Sequence, residues 1–223
     1  MAKTLVITGA SSGIGAATAK AAASAGWNVA LLARSQDKIE ELARTIGDTA
    51  LPITCDVTNL DELEKALSTT AERFGGIDAL YANAGMGVEK AGVENGDPQQ
   101  WHDMIHVNIL GVLYAAKLAI PYLKKTKGHF VVTGSKAGRD TFKGSVYSAT
   151  KHFVHGFGEN LAEEMREWGG RATVIAPGMV DTAFFDEPKP TKIQAEDVAN
   201  AVLFALGQPK TASVREIYIM PND

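Results

Sequence analysis

The sequence predicts an α/β fold, a single doubly wound parallel sheet of about seven strands with helices on both faces. Two observations carry that expectation. Short apolar runs alternate with longer amphipathic ones from end to end, as they do when βαβ units stack into a parallel sheet. A glycine-rich turn, Thr8 to Gly15, joins the first apolar run to the first amphipathic one, where such folds place a strand-to-helix turn. The chain has 223 residues, fewer than the roughly 250 to 300 at which cores usually split. One domain covering residues 1–223 is therefore expected.

Taken in order, the strand candidates are the apolar runs Thr4 to Thr8, Asn28 to Leu32, Leu51 to Thr54, Ala79 to Tyr81, His129 to Thr133, Ala172 to Ile175 and Glu216 to Ile219. Between them the spacing of apolar residues predicts helices over Gly13 to Ala25, Gln36 to Ile46, Leu60 to Phe74, Val107 to Lys125, Ser145 to Trp168 and Ala195 to Leu206. The third opens with Asn59-x-x-Glu62, a capping signal. No internal repeat, low-complexity tract or linker interrupts the series. Met179 to Lys192 lacks periodicity and contains Pro188 and Pro190, so a short mobile lid over a substrate is expected around 179–192.

Bulk properties exclude several classes. A net charge of -4 and a pI near 5.8 leave no overall basic surface, arguing against nucleic acid or an anionic membrane as the main partner. Cys55 is the single cysteine, cannot form an internal disulfide and has no cation beside it in sequence, so it reads as a buried strand residue. The N-terminus passes from Lys3 straight into an apolar run with no cleavage signal, and no run looks long enough to span a bilayer. A soluble cytoplasmic protein is expected.

Two patterns point to chemistry. In the Thr8-Gly9-Ala10-Ser11-Ser12-Gly13-Ile14-Gly15 turn, glycines let the backbone approach a pyrophosphate, whose charge meets free N–H groups at a helix N-terminus. The spacing is G-x-x-x-G-x-G, and its alternative reading is a turn that merely needs glycine. Tyr147 and Lys151 lie four apart in a predicted helix and share a face, so a fixed cation would stand beside a phenol and lower its pKa toward the operating range of an acid–base catalyst. On its own that pair is common on solvated helix faces. His102 and His106 have the spacing of a helical zinc site, but no third ligand has a sequence reason to converge on them, so no metal is expected. They read instead as one packed and one solvated histidine. Phe184 and Phe185, in the expected lid, read equally as substrate contacts or as anchors for a loop.

Together these residues resemble the short-chain dehydrogenase/reductase family over essentially the whole chain. The family's glycine motif is similar to Thr8 through Gly15, its Asn-Ala-Gly motif to Asn83-Ala84-Gly85, its catalytic asparagine, serine, tyrosine and lysine to Asn108, Ser135, Tyr147 and Lys151, and its Pro-Gly turn to Pro177-Gly178. The order matches, and each motif falls at an expected strand end or helix start. Two departures stand out: Ala82 precedes the Asn-Ala-Gly motif where many members have asparagine, and the interval from Ser135 to Tyr147 is about one residue short for the family. The resemblance implies a Rossmann-like dinucleotide-binding catalytic domain, an oxidoreductase transferring hydride between a nicotinamide and a small carbonyl or alcohol. It also implies a homodimer or homotetramer through helices near Asn108 and Tyr147.

At the end of the second strand, where an acid would accept from the adenosine ribose, the chain reads Leu31-Leu32-Ala33-Arg34-Ser35. Arg34 is a charged fork suited to a 2′-phosphate, with Ser35 and Ser12 as further donors, which predicts NADP(H) over NAD(H). Arg34 as a surface charge and Ser35 as a helix cap are the plainer readings. By resemblance, Asp56, next to Val57, would meet the adenine amino group, or else cap a helix. In the same way, Asn83, Ala84 and Gly85 would line the adenosine ribose, and Val180 and Thr182 would hold the carboxamide. Tyr147 would be general acid or base, and Lys151 would bind ribose hydroxyls while lowering the phenol's pKa. Ser135 would hydrogen-bond the substrate oxygen, and Asn108 would hold a water linking Lys151 to solvent. The chain ending, Glu216 to Pro221, resembles members acting on short hydroxy acids. The rival is a dinucleotide-binding sensor or scaffold of the same fold, a class that commonly lacks the tyrosine or the lysine.

Overall fold

In a computed structural model that describes residues 2–90, 92–184 and 187–222, the chain runs β1 (Thr4–Thr8), α1 (Gly13–Ser24), β2 (Asn28–Ala33), α2 (Gln36–Ile46), β3 (Ala50–Thr54), α3 (Leu60–Phe74) and β4 (Ala79–Ala82). It continues with α4 (Pro98–Ile105), a π-helical turn (His106–Leu110), α5 (Gly111–Thr126), β5 (His129–Thr133), a 3-10 turn (Lys136–Gly138), α6 (Val146–Arg166) and β6 (Arg171–Pro177). Last come β7 (Val180–Asp181), β8 (Ile193–Gln194), α7 (Ala195–Gly207) and β9 (Glu216–Ile219).

Among the described residues, seven strands form one parallel sheet in the order β3-β2-β1-β4-β5-β6-β9. The order reverses between β1 and β4, which opens a crevice at the carboxyl ends of those strands. The strands are apolar without alternation because both faces are covered. Val6, Leu80, Phe130 and Val174 pack under α3, α5 and α6, while Leu5, Ile7, Tyr81, Val131 and Ile175 pack under α1, α2 and α7.

Six predicted helices and seven predicted strands are present, with ends shifted by a few residues. The largest difference is at the fourth helical stretch. It begins at Pro98, not Val107, because Asp97 caps it, accepting from Gln99 N at 2.9 Å, and Pro98 opens its first turn. Pro98–Thr126 is thus a helical run of 29 residues, long and apolar enough by composition to cross a membrane, contrary to the expectation that no run was. Core helices meet the same criterion, and here Met104, Val112, Ala115, Ala119 and Leu123 are buried against the rest of the fold. The segment expected to be a lid is tied at its base by a two-residue parallel pair, Val180 with Ile193 and Asp181 with Gln194. Phe185 lies outside the described residues.

The capping signal is realised at α3: Asn59 Oδ1 accepts from Asp61 N at 3.1 Å and Glu62 N at 3.2 Å. Replacing Asn59 with Ala should lower unfolding free energy by about 1 kcal/mol in urea titrations, and Asn59→Asp, which keeps the accepting oxygen, should retain most of it.

Candidate active site

The crevice is built from the ends of β1, β4 and β5. Gly9 follows β1 with a φ of 65°, a conformation that favours glycine. A Cβ at Gly9 would lie 2.9 Å from Ala84 Cα, and one at Gly15 would overlap the Gly9 carbonyl. Asn83 Nδ2 donates to Thr8 O at 3.1 Å and Gly9 O at 3.3 Å, while Thr8 Oγ1 accepts from Asn83 N at 3.0 Å and Ala84 N at 3.1 Å. Thr133 Oγ1, on β5, sits 3.1 Å from Asn83 Oδ1 and 2.8 Å from Tyr81 Oη, whose phenol burial keeps neutral. These bonds lock the Asn-Ala-Gly segment to the glycine turn.

Ser12 occupies the N-cap position of α1 without a side-chain cap bond, and Gly13, Ile14 and Gly15 form a first turn that contains no acid. The donors of that turn are therefore left for an external anion. Beside it a cleft of about 180 Å³ is lined by Gly9, Ser11, Arg34, Ser35, Asp56, Val57, Ala84 and Gly85. Ser11 lines this cleft, and Ser12 is not among its walls. Arg34 is exposed, and Ser35 is the N-cap residue of α2 but makes no side-chain cap bond. Asp56 Oδ1 accepts from Thr58 N at 2.9 Å and Thr58 Oγ1 at 2.8 Å, a local turn rather than a helix cap. Cys55 also faces the cleft, its thiol pushed up to about 12 by burial.

Across the sheet end, Ser145 caps α6 and so sets Tyr147 in its first turn, with Lys151 one turn further on. Lys151 Nζ lies 5.8 Å from the Tyr147 ring centre and donates to Thr133 O at 2.8 Å. Burial pushes the ammonium down to about 8. The phenol departs from the expected direction: burial raises it above its ordinary 10, and a hydrogen bond with the Ser135 side chain opposes the rise. Desolvation disfavours the phenolate, and it outweighs the cation that the spacing alone brings near. Ser135 Oγ also accepts from Ala137 N at 3.0 Å.

Asn108 is buried in the π-helical turn. Its Oδ1 accepts from Met86 N at 2.9 Å, and its Nδ2 donates to Met86 O at 2.9 Å and Thr150 Oγ1 at 3.1 Å. Its side chain thus joins the segment after β4 to α6. Thr150 and Met86 carry no sequence signal for this role.

Pro177 ends β6, and Gly178 N donates to Ile219 O at 2.7 Å. A Cβ at Gly178 would meet Pro221 Cδ at 3.0 Å. Val180 buries its side chain in the core, whereas Thr182 reaches back to within 3.1 Å of where a Gly13 Cβ would stand. Phe184, just beyond, sets its ring 5.8 Å from that of Tyr147. The rings of exposed His102 and half-buried His106 stack at 4.1 Å. Among the described residues, no group of three or more His, Cys, Asp or Glu gathers as metal ligands.

The sequence profile described as short chain dehydrogenase matches residues 3–192. The chain belongs to that family. It is 38% identical to an uncharacterised oxidoreductase of Staphylococcus aureus (strain MRSA252), over 98% of this chain and 97% of that one. Among solved structures it is similar to an alcohol dehydrogenase from Thermococcus sibiricus complexed with 5-hydroxy-NADP, with a TM-score of 0.92, 32% identity and coverage of 100% of this chain and 97% of that one. It is also similar to serine dehydrogenase from Escherichia coli, with a TM-score of 0.89, 28% identity and coverage of 98% and 97%. This short-chain dehydrogenase is thus an oxidoreductase with a seven-stranded Rossmann-like sheet.

The buried lysine has a measurable signature. Its folded pKa of about 8 lies below the ordinary 10.5, so between those values the unfolded chain holds more protons and stability must rise with pH; below about 8 the full cost of the buried ammonium is present. Urea titrations of the unliganded protein from pH 7.5 to 10 should show that rise, and Lys151→Met should lack it.

Proposed function

We propose that this short-chain dehydrogenase is an NADP(H)-dependent oxidoreductase acting on a small carbonyl or alcohol, with Tyr147 as general acid or base. The observation that carries the reading is the meeting of the Tyr147 phenol, the Ser135 hydroxyl and the buried Lys151 ammonium beside the uncapped N-terminus of α1. The residues present fit a dinucleotide. The α1 turn around Gly13 has free donors, Gly9 and Gly15 bring backbone close enough for a pyrophosphate, and Arg34, instead of an acid that would repel a 2′-phosphate, directly follows β2 at the cleft. Asp56, Val57, Asn83, Ala84 and Gly85 would flank the adenosine, and Thr182 with the Val180 backbone would flank the nicotinamide. When bound, the nicotinamide supplies or accepts the hydride.

The chain's own groups handle the proton. Burial holds the Tyr147 phenol protonated at neutral pH, the state needed to protonate the oxygen of a carbonyl being reduced. Ser135 Oγ, already bonded to that phenol, shares the developing negative charge. Lys151 presents its cation 5.8 Å from the centre of the phenol ring. Asn108 holds Met86 and Thr150 in place, so its service to a water would come second to this positioning. A small substrate is supported by the short lid, by Phe184 standing over Gly87 near Tyr147, and by the two dehydrogenase neighbours that act on an alcohol or on serine. Assembly as a homodimer or homotetramer is supported by the partly buried Tyr114, Leu118 and Tyr122 of α5 and Phe153 and Phe157 of α6.

Incubation with NADPH and a panel of small aldehydes, ketones and keto acids tests the reading. Turnover is expected; NADPH bound without turnover on any of them would favour the sensor. Tyr147→Phe should lower kcat by about 10²-fold or more while changing the NADPH Kd less than about threefold, since general acid–base catalysis contributes ~10²–10⁴. Arg34→Asp should reverse the NADPH/NADH preference, losing about 10- to 100-fold in NADPH affinity, as expected for a charged hydrogen bond worth ~1.5–3 kcal/mol. An unchanged ratio would refute Arg34 as the selector.

A further inference from the structure

The backbone of Ser135 is held by a residue that no motif marks. His155 lies on α6, one turn beyond Lys151, and is 7% exposed. Its Nε2 stands 3.0 Å from Ser135 O and 3.4 Å from Ser135 N. Two glycines, Gly134 before the 3-10 turn and Gly138 at its end, leave room for its ring. A Cβ at Gly134 would lie 2.8 Å from Nε2, and one at Gly138 would lie 2.5 Å from Cδ2. On the other side of the ring, Nδ1 is buried without a hydrogen-bond partner, 3.5 Å from Glu216 Oε1 on β9. Glu216 is itself gripped by Arg139, through Nε at 2.7 Å and through Nη2. Arg139 directly follows the 3-10 turn that Ser135 begins. The Ser135 turn, Arg139, Glu216 and His155 therefore close a circuit that returns to Ser135.

We propose that His155 is a positioning residue for Ser135, its Nε2–H donating to the Ser135 carbonyl and its ring filling the space that Gly134 and Gly138 leave. The proposal rests on the reading of Ser135 as the partner of the Tyr147 phenol. The charged and titratable groups facing the ring are Glu216 from β9, Arg139 from the end of the 3-10 turn, and Lys151 and His152 from its own helix. Glu216 is already paired with Arg139. Burial and the remaining cations hold the imidazole below its ordinary 6.5, so at pH 7 the ring is neutral with one N–H. Nε2 faces both backbone groups of Ser135, the carbonyl at 3.0 Å and the N–H, aimed at it as a donor, at 3.4 Å, and Nδ1 lies 3.5 Å from Glu216 Oε1; the shorter carbonyl contact favours the proton on Nε2, because with it on Nδ1 two lone pairs would face each other across 3.0 Å. One N–H thus fixes the carbonyl of residue 135, and with it the direction of a hydroxyl whose displacement by ~1 Å would cost up to ~10²-fold in rate.

Two experiments test this. Imidazole ¹⁵N shifts of the dinucleotide-free protein at pH 7 should show His155 neutral and protonated on Nε2; a Nδ1–H tautomer or an imidazolium would overturn the proposal. With NADPH and a turned-over carbonyl, His155→Leu should lower kcat about tenfold or more with NADPH Kd within about twofold, because the dinucleotide cleft does not include it. His155→Gln, whose amide nitrogen reaches the Nε2 position, should recover most of the loss. His155→Asn, whose amide reaches only the Nδ1 position, should not, and this pair decides the matter if the leucine variant does not fold. A folded His155→Leu with kcat within about twofold of wild type, or Asn serving as well as Gln, would show packing alone. Absence of any turnover in the wild type would count against the proposed function instead, leaving the tautomer to decide this inference.

Discussion

The close approach of the start of α1, the end of β1 and the Asn83 side chain around Gly15 is the constraint on which the site depends. A side chain there would overlap the Gly9 carbonyl and would stand 2.8 Å from Asn83 Nδ2. Only because Gly15 has none can α1 start against the end of β1, and only then can one Asn83 amide reach both Thr8 O and Gly9 O. The same asparagine meets Thr133 from β5, whose carbonyl in turn receives Lys151. The glycine turn and α6 are therefore referenced to one another through buried hydrogen bonds, each of which would be costly to leave unmade.

Burial then sets the chemistry. A lysine ammonium and a tyrosine phenol are both shielded from water by the fold around the sheet ends, and desolvation drives each toward its neutral form. For the lysine, part of that cost is offset by its hydrogen bond to Thr133 O. Ser135 works in the opposite sense on the phenol, stabilising its anion. The phenol's state is thus a balance between burial and the one hydroxyl of Ser135.

The segment after β6 is neither a free loop nor part of the sheet. Two parallel residue pairs close its base, Val180 anchors it in the core, and Thr182 brings it over the first turn of α1. Phe184 follows beside Tyr147, so a short piece of chain spans from the α1 turn to the phenol. Asp181 Oδ1, accepting from Lys189 N at 2.8 Å, closes the segment on itself.

What could be read from the residues alone was what depends on neighbours in sequence: apolar runs bounded by turns, glycines at a strand-to-helix junction, the Asn59 cap, and the i,i+4 pair of Tyr147 and Lys151. Even the missed helix start was local, since Asp97-Pro98 is a start signal that periodicity beginning at Val107 obscured. The tertiary structure alone decided which way the Tyr147 phenol shifts, that Asn108 spends its amide on Met86 and Thr150, and that His155 rather than any motif residue backs Ser135. Desolvation and hydrogen-bond geometry are properties of groups brought together from different segments, Asn108 with Met86 and His155 with Ser135, and no spacing within one segment encodes them.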